Sequence, residues 1–187
     1  MRVRHTGHMA DAEVRPARTA DVDALAAVQV RAWRGDGLLP EQWLELDESQ
    51  IALEWARSLL LPGDNLLLAA FAGEALVGYA ALGPSGDPDS TPRTGELLAL
   101  EVDPDHRRAG HGSRLVAAVV DAARGRGLTD LTTWIPLDAE ARRAFLLAAG
   151  WGPDTAYRDL DTGNSLLREV RLVTDVSEIE NRPNADM

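Results

Sequence analysis

The sequence of 187 residues contains neither cysteine nor lysine, so all 19 of its basic side chains are Arg. Without thiols the chain forms no disulfide, offers no thiol nucleophile and holds no thiolate-bound metal. Without an ammonium side chain it forms no Schiff base, and it lacks the lysine that a Walker loop sets against nucleotide phosphates. Aromatic residues are few, at 5%. No stretch approaches the ~20 apolar residues of a membrane span. The opening MRVRHTGHMA is followed by no apolar segment of the kind a signal peptide needs. A cytoplasmic protein with no membrane partner is expected.

What is present is acid. Thirty Asp and Glu against 19 Arg give a formal net charge of −11 and a pI near 4.7. Nucleic-acid binders need basic charge to neutralise phosphates, so that class is disfavoured. The surplus suits a cationic substrate or serves only solubility. With 45% hydrophobic residues the chain has enough apolar surface for one buried core. We expect one domain over 13–175, a disordered N-terminal extension at 1–12 and a flexible C-terminal tail at 176–187.

Strand and helix signals alternate. Residues 13–18 read as an edge strand, and Thr19 as the cap of a helix over 20–34, where Val22, Leu25, Val28 and Ala32 recur at helical spacing. A second helical region runs from Pro40 to about 62, broken near Asp47. Strands follow at 66–72 and 76–82, joined by Gly73-Glu74-Ala75, and then a flexible surface loop at 83–95. Residues 96–102 form a strand, 110–124 a helix and 131–135 a strand. Asp138 caps a helix to Ala149 that Gly150 closes, and strands at 156–160 and 167–174 surround Asp161-Thr162-Gly163-Asn164. This order predicts an α/β (α+β) fold, a mixed twisted sheet of six to seven strands flanked by about four helices.

The chemistry concentrates between Gly95 and Leu115. An apolar strand passes through Asp103-Pro104 into a loop with two glycines, Gly110 and Gly112, and an amphipathic helix begins at once. Helix starts present N–H groups without internal partners and a partial positive charge, so they attract phosphates, and glycine lets a diphosphate approach the backbone. Arg107, Arg108 and Arg114 add cations. No third glycine completes a dinucleotide fingerprint, although an unrelated α/β nucleotide binder stays open at this point.

The pattern Arg107-x-x-Gly110-x-Gly112, with Glu96, Leu97, Leu100 and Val102 on the strand before it and Gly150-Trp151 after it, resembles the GNAT superfamily of acyl-CoA-dependent N-acetyltransferases. The resemblance extends over about residues 13–175. It implies a GNAT fold and acetyl-CoA as cofactor, with no metal. It also implies transfer of the acetyl group to a primary amine of a small molecule or peptide by direct attack in a ternary complex. The main chain of Leu100, Glu101 and Val102 would pair with the pantetheine arm as an added strand does, between strands 96–102 and 131–135, which splay apart in the family. The segment Arg107, Arg108, Ala109, Gly110, His111, Gly112 and Ser113 would hold the phosphates. Ser113 is equally a simple helix-start residue.

Attack on a thioester needs a neutral amine and hence a base. Glu96 is the candidate, its alternative being a structural salt bridge, and Glu101 is second, placed on the opposite face by strand alternation. His106 and His111 read as solvated loop side chains. Trp33, Trp43 and Trp55 line the acceptor side or belong to the core. The tyrosine with which the family protonates the departing thiolate is missing from Arg143-Ala144-Phe145-Leu146-Leu147-Ala148-Ala149-Gly150-Trp151. Tyr79 and Tyr157 read as packed strand residues. That absence keeps a second class open, an acyl-CoA-binding sensor without turnover. A monomer or a homodimer is expected.

Overall fold

The computed structural model describes residues 12–37, 47–163 and 166–177. In chain order its strands and helices are β1 (Ala12–Pro16), α1 (Val22–Asp36), α2 (Glu48–Leu60), β2 (Leu66–Ala72), β3 (Ala75–Pro84), β4 (Thr94–Val102), α3 (His111–Gly125), β5 (Asp130–Pro136), α4 (Glu140–Ala148), β6 (Gly152–Asp161) and β7 (Leu166–Asp175). They form one mixed sheet in the order β1-β2-β3-β4-β5-β7-β6. Every pairing is antiparallel except β4 with β5. The α/β (α+β) architecture expected from the sequence is therefore present, with four helices among the described residues.

Strands β2 and β3 are almost wholly apolar because helices cover both faces of the sheet there. On one face Leu115, Val119 and Ala123, four residues apart on α3, meet Leu82, Leu97, Leu131, Ile135 and Leu172, with Leu146 and Trp151 closing the cluster. On the other face Leu25 and Val28 of α1 pack on Leu67, Phe71 and Tyr79. Trp55 of α2 stands edge-on to Tyr79 at 5.1 Å and donates its indole N–H to Gln29 at 2.7 Å. Trp55 and Tyr79 are thus core residues, and Trp33 is half-buried. Trp43 lies outside the described residues, as do residues 1–11 of the expected N-terminal extension.

Several boundaries differ from expectation for local reasons. Thr19 opens a short 3-10 turn to Asp21 and caps nothing. It is Asp21 that accepts from the Arg18 N–H at 2.7 Å and from Arg15 at 2.8 Å. Ala139, not Asp138, precedes α4, with no side-chain cap. Because Ala72 pairs with Ala75, the β2–β3 turn is only Gly73-Glu74, and Gly73 takes φ +63°. Strands β3 and β4 continue into the expected loop, since Gly83 and Pro84 pair with Glu96 and Gly95, and Arg171 ties down the remainder through Asp87 and Asp89. Val176 of the expected tail is buried in the core, and its N–H donates to the Thr129 carbonyl at 2.8 Å. Residues 178–187 lie outside the described residues.

One departure matters for chemistry. Ala81 pairs with Ala99 but Leu82 pairs with Leu97, so β4 carries an extra residue, Leu98, in a bulge. The bulge resets the alternation. Leu97 and Leu100 now face the α3 side, and Ala99 faces the α1 side. Glu96 and Glu101 therefore share the face opposite α3, where strict alternation had separated them.

Leu115 is fully buried under the sheet. Leu115→Ala should cost about 2–5 kcal/mol, read as a lower urea midpoint with an unchanged slope.

Candidate active site

The parallel ladder between β4 and β5 consists of Thr94–Asp130, Gly95–Leu131 and Glu96–Thr132, and there it stops. Beyond it β4 stays paired to β3 as far as Val102, and the Asp103 N–H still reaches the Val77 carbonyl at 2.9 Å. Main-chain groups alternate sides along a strand, so on the stretch after the bulge, with Asp103 turned to β3, those of Leu100 and Val102 turn into the gap. The gap is an open strand edge inside the fold, able to accept an extended, amide-bearing chain. Two side chains bridge it from the β5 side: Thr133 Oγ1 donates to the Leu97 carbonyl at 2.8 Å, and Arg142 of α4 donates to both oxygens of Glu101 at 2.8 and 2.9 Å.

At the far end of β4 the chain makes a 3-10 turn, Pro104–His106, pinned by Asp103. Its carboxylate accepts from the Asp105 N–H at 3.1 Å and from Arg31 of α1 at 2.8 Å. Arg108 and Gly110 then both take left-handed backbone, φ +64° and +82°, and α3 starts at His111. Among the described residues no hydrogen-bond partner exists for the N–H groups of residues 108–113, whereas the Arg114 N–H returns to the Gly110 carbonyl. A turn with two left-handed residues leading into a helix N-terminus is a concave set of main-chain donors, suited to a diphosphate. Gly112 packs closely under α4, since a Cβ there would lie 3.3 Å from the Phe145 ring, tighter than ordinary contact.

The nearby cations divide their roles. Arg107 turns inward, donating from Nε to the Val102 carbonyl at 3.1 Å and pairing with Asp36 at 2.8 Å. Arg108, Ala109 and Ser113 are exposed at the rim, and Arg114 folds back on the Ala109 carbonyl at 3.1 Å. His111 is not the solvated loop residue expected. As the first residue of α3 it is 6% exposed with Nδ1 unpartnered, and burial, followed by Arg114, lowers its pKa. His106 is half-exposed, although its Nδ1 is enclosed.

Glu96 sits at the last rung before the gap, 9% exposed, with no ion pair among the described residues. Burial, and then the charge of Asp87, raises its pKa above the ordinary Glu value. The salt bridge offered as its structural role is not formed. Around it on the same face lie Asp87, Asp89, Asp154 and Glu169, with Arg158 and Arg171. Arg171 holds Asp87 at 3.0 Å, Asp89 at 2.6 Å and Asp154 at 2.7 Å, and Trp134 donates its indole N–H to Asp87 at 3.1 Å. Glu101 is 5% exposed. Burial pushes it up, and its bonds to Arg142 oppose that, so it is engaged and unfit to serve as a free base.

The sequence indicated the cradle and Glu96 but missed Asp87, Trp134, Arg142 and Arg171. Their partners stand 17 to 106 residues away along the chain, a relation no local spacing records. The one available sign was Arg171 between Val170 and Leu172, a charge on a strand whose neighbours are core residues.

Comparison with known proteins agrees with this geometry. Residues 25–151 match the family model described as the acetyltransferase (GNAT) family. A mycothiol acetyltransferase of Kineococcus radiotolerans is 35% identical over 131 residues, which are 69% of this chain and 38% of that protein. The chain thus spans little more than a third of that relative. An aminoglycoside N(6')-acetyltransferase type 1 of Klebsiella aerogenes is 31% identical over 140 residues, 74% of this chain and 88% of that one. Among solved structures, the acetyltransferase YncA from Salmonella typhimurium, crystallised with acetyl-CoA, superposes with a TM-score of 0.67 at 23% identity. That match covers 94% of this chain and 99% of the other and shows a shared fold.

A side chain at Gly110 would be strained at φ +82° and would meet Arg114 Nη1 at 3.0 Å. Gly110→Trp should abolish calorimetric binding of coenzyme A. An unchanged affinity would remove the cradle from the site.

Proposed function

Since the chain belongs to the acetyltransferase (GNAT) family, whose cofactor is acetyl-CoA, we propose that it transfers the acetyl group to a primary amine of a small molecule by direct attack in a ternary complex. The observation that carries this reading is the pair of unsatisfied main-chain surfaces. The N–H groups of 108–113 fit a diphosphate, and the open edge at Leu100 and the Val102 N–H fits an amide-bearing arm. Acetyl-CoA held there supplies an acetyl thioester at the base of the gap.

Glu96 lies at that base and takes the amine proton, directly or through one water. Its raised pKa makes it a better base than an ordinary carboxylate. Asp87, Asp89, Asp154 and Glu169, set against Arg158 and Arg171, leave the surrounding face negative, which favours an amine carrying further positive charge. The aminoglycoside enzyme among the relatives is in keeping with such an acceptor. Leu146 on α4 is a core residue, and Tyr79 is buried against Trp55 with its hydroxyl pushed further up by burial and by Glu101. The reading therefore has the thiolate depart without a tyrosine acid, tolerable for a thiol of pKa ~8.5. The same absence favours a second reading, a sensor that binds acyl-CoA without turnover. No described helix is long and apolar enough to cross a membrane. We place the protein in the cytoplasm, as a monomer or homodimer.

Release of free coenzyme A with a panel of amines and polyamines separates the two. Turnover on at least one amine supports transfer, and binding with no turnover on any supports the sensor. With an acceptor in hand, kcat/KM should rise with pH along a limb set by Glu96, above the ordinary Glu range near 4.3. Glu96→Gln should lower kcat by about 10²–10⁴ and remove that limb.

A further inference from the structure

Arg142 lies in the first turns of α4, one helical turn before Leu146, and reaches back over the gap that separates β4 from β5. Its Nη2 makes all of its protein bonds: to Glu101 Oε1 at 2.8 Å, to Glu101 Oε2 at 2.9 Å and to Asp36 at the end of α1 at 3.1 Å. Asp36 is held in turn by Arg107 at 2.8 Å. The result is a charge-balanced chain of four side chains, Arg107, Asp36, Arg142 and Glu101, drawn from the cradle loop, α1, α4 and β4. Burial opposes the charge on Arg142, but Glu101 and Asp36 outweigh it and keep the guanidinium protonated.

A guanidinium has five N–H donors. Here Nε and Nη1 have no partner among the described residues, although the side chain is only 26% exposed. Below this bridge, Thr133 Oγ1 on the Leu97 carbonyl closes the other end of the opening. Between the two bridges β4 turns its main chain at Leu100 into the gap. An extended chain pairing with that edge would pass the Arg142 guanidinium, which crosses the gap to Glu101. Glu101 and Asp36 anchor Nη2, so the guanidinium is held at the gap with Nε and Nη1 left available.

We propose that Arg142 is the residue by which this chain grips the amide-bearing arm of acyl-CoA, donating from Nε and Nη1 to an amide carbonyl oxygen of that arm. This rests on the coenzyme A reading given above. It assigns to α4 a binding role in place of the acid role its sequence lacks, and it gives the second buried carboxylate of β4, Glu101, a purpose distinct from that of Glu96. Glu101 and Asp36 are the orienting partners.

The test is calorimetric binding of two probes: coenzyme A, and adenosine 3′,5′-bisphosphate, which keeps nucleotide phosphates but has no arm. Arg142→Met retains length and loses every donor. It should weaken coenzyme A about tenfold or more while leaving the bisphosphate within twofold of wild type. Arg142→Lys should recover part of the loss. Because Arg142→Met alone leaves Glu101 buried without a partner, the paired variant Glu101→Gln/Arg142→Met provides the same comparison without an orphaned charge. Equal loss of both probes in the folded variants would mean that Arg142 only supports the site, and would overturn the proposal. So would unchanged coenzyme A affinity. Failure of the wild-type chain to bind either probe would instead remove the coenzyme A reading, and the proposal with it.

Discussion

The fold depends on a separation of strands that most sheets avoid. Parallel neighbours β4 and β5 hold three rungs and then part, although both continue for several residues. Main-chain groups left unpaired within a fold cost about as much as lost hydrogen bonds, so a gap of this kind persists only where water or a ligand completes it. The same is true of the α3 start, where left-handed Arg108 and Gly110 hold successive N–H groups toward one point. Both sets belong to one continuous stretch, Leu100 to Ser113, and the site is made chiefly of backbone. That is why residues as different as Ala109, His111 and Ser113 can stand in it.

Around that backbone site, arginine is the organising side chain. Arg31 fixes Asp103 at the end of β4, Arg107 and Arg142 share Asp36, and Arg171 gathers three carboxylates from the β3–β4 loop and β6. A guanidinium suits these places better than an ammonium because its planar fork meets several carboxylate oxygens at once and does not lose its charge when half-buried. The surplus acid of the chain is thus unevenly placed. Part of it is engaged by these arginines, and part leaves the face around Glu96 negative. Burial raises the pKa of Glu96 while neighbouring Asp carboxylates stay engaged with Arg171 and Trp134, and that difference supports the base role proposed for Glu96.

Much of this was legible in the sequence. The apolar runs of β2 and β3, the four-residue spacing of Leu115, Val119 and Ala123, and the two glycines after Asp103-Pro104 each reflect a local physical demand, and each element stands where its pattern put it. What was not legible arose from contacts between distant segments. The Leu98 bulge is one residue of mismatch between two strands, visible only in their pairing, yet it brings Glu96 and Glu101 to the same face. His111 looked like a loop residue because its burial depends on how α3 meets the sheet. Arg142 gave no local signal, because Glu101 and Asp36, which hold it, come from other elements.

The most direct measurement is amide hydrogen exchange with and without coenzyme A. The account requires exchange to slow at Leu100, Val102 and residues 108–113, where ligand oxygens would replace water as partners of the main chain, and to change little at β1 and β6. Bound coenzyme A that left those amides exchanging as before, with protection appearing elsewhere, would contradict it.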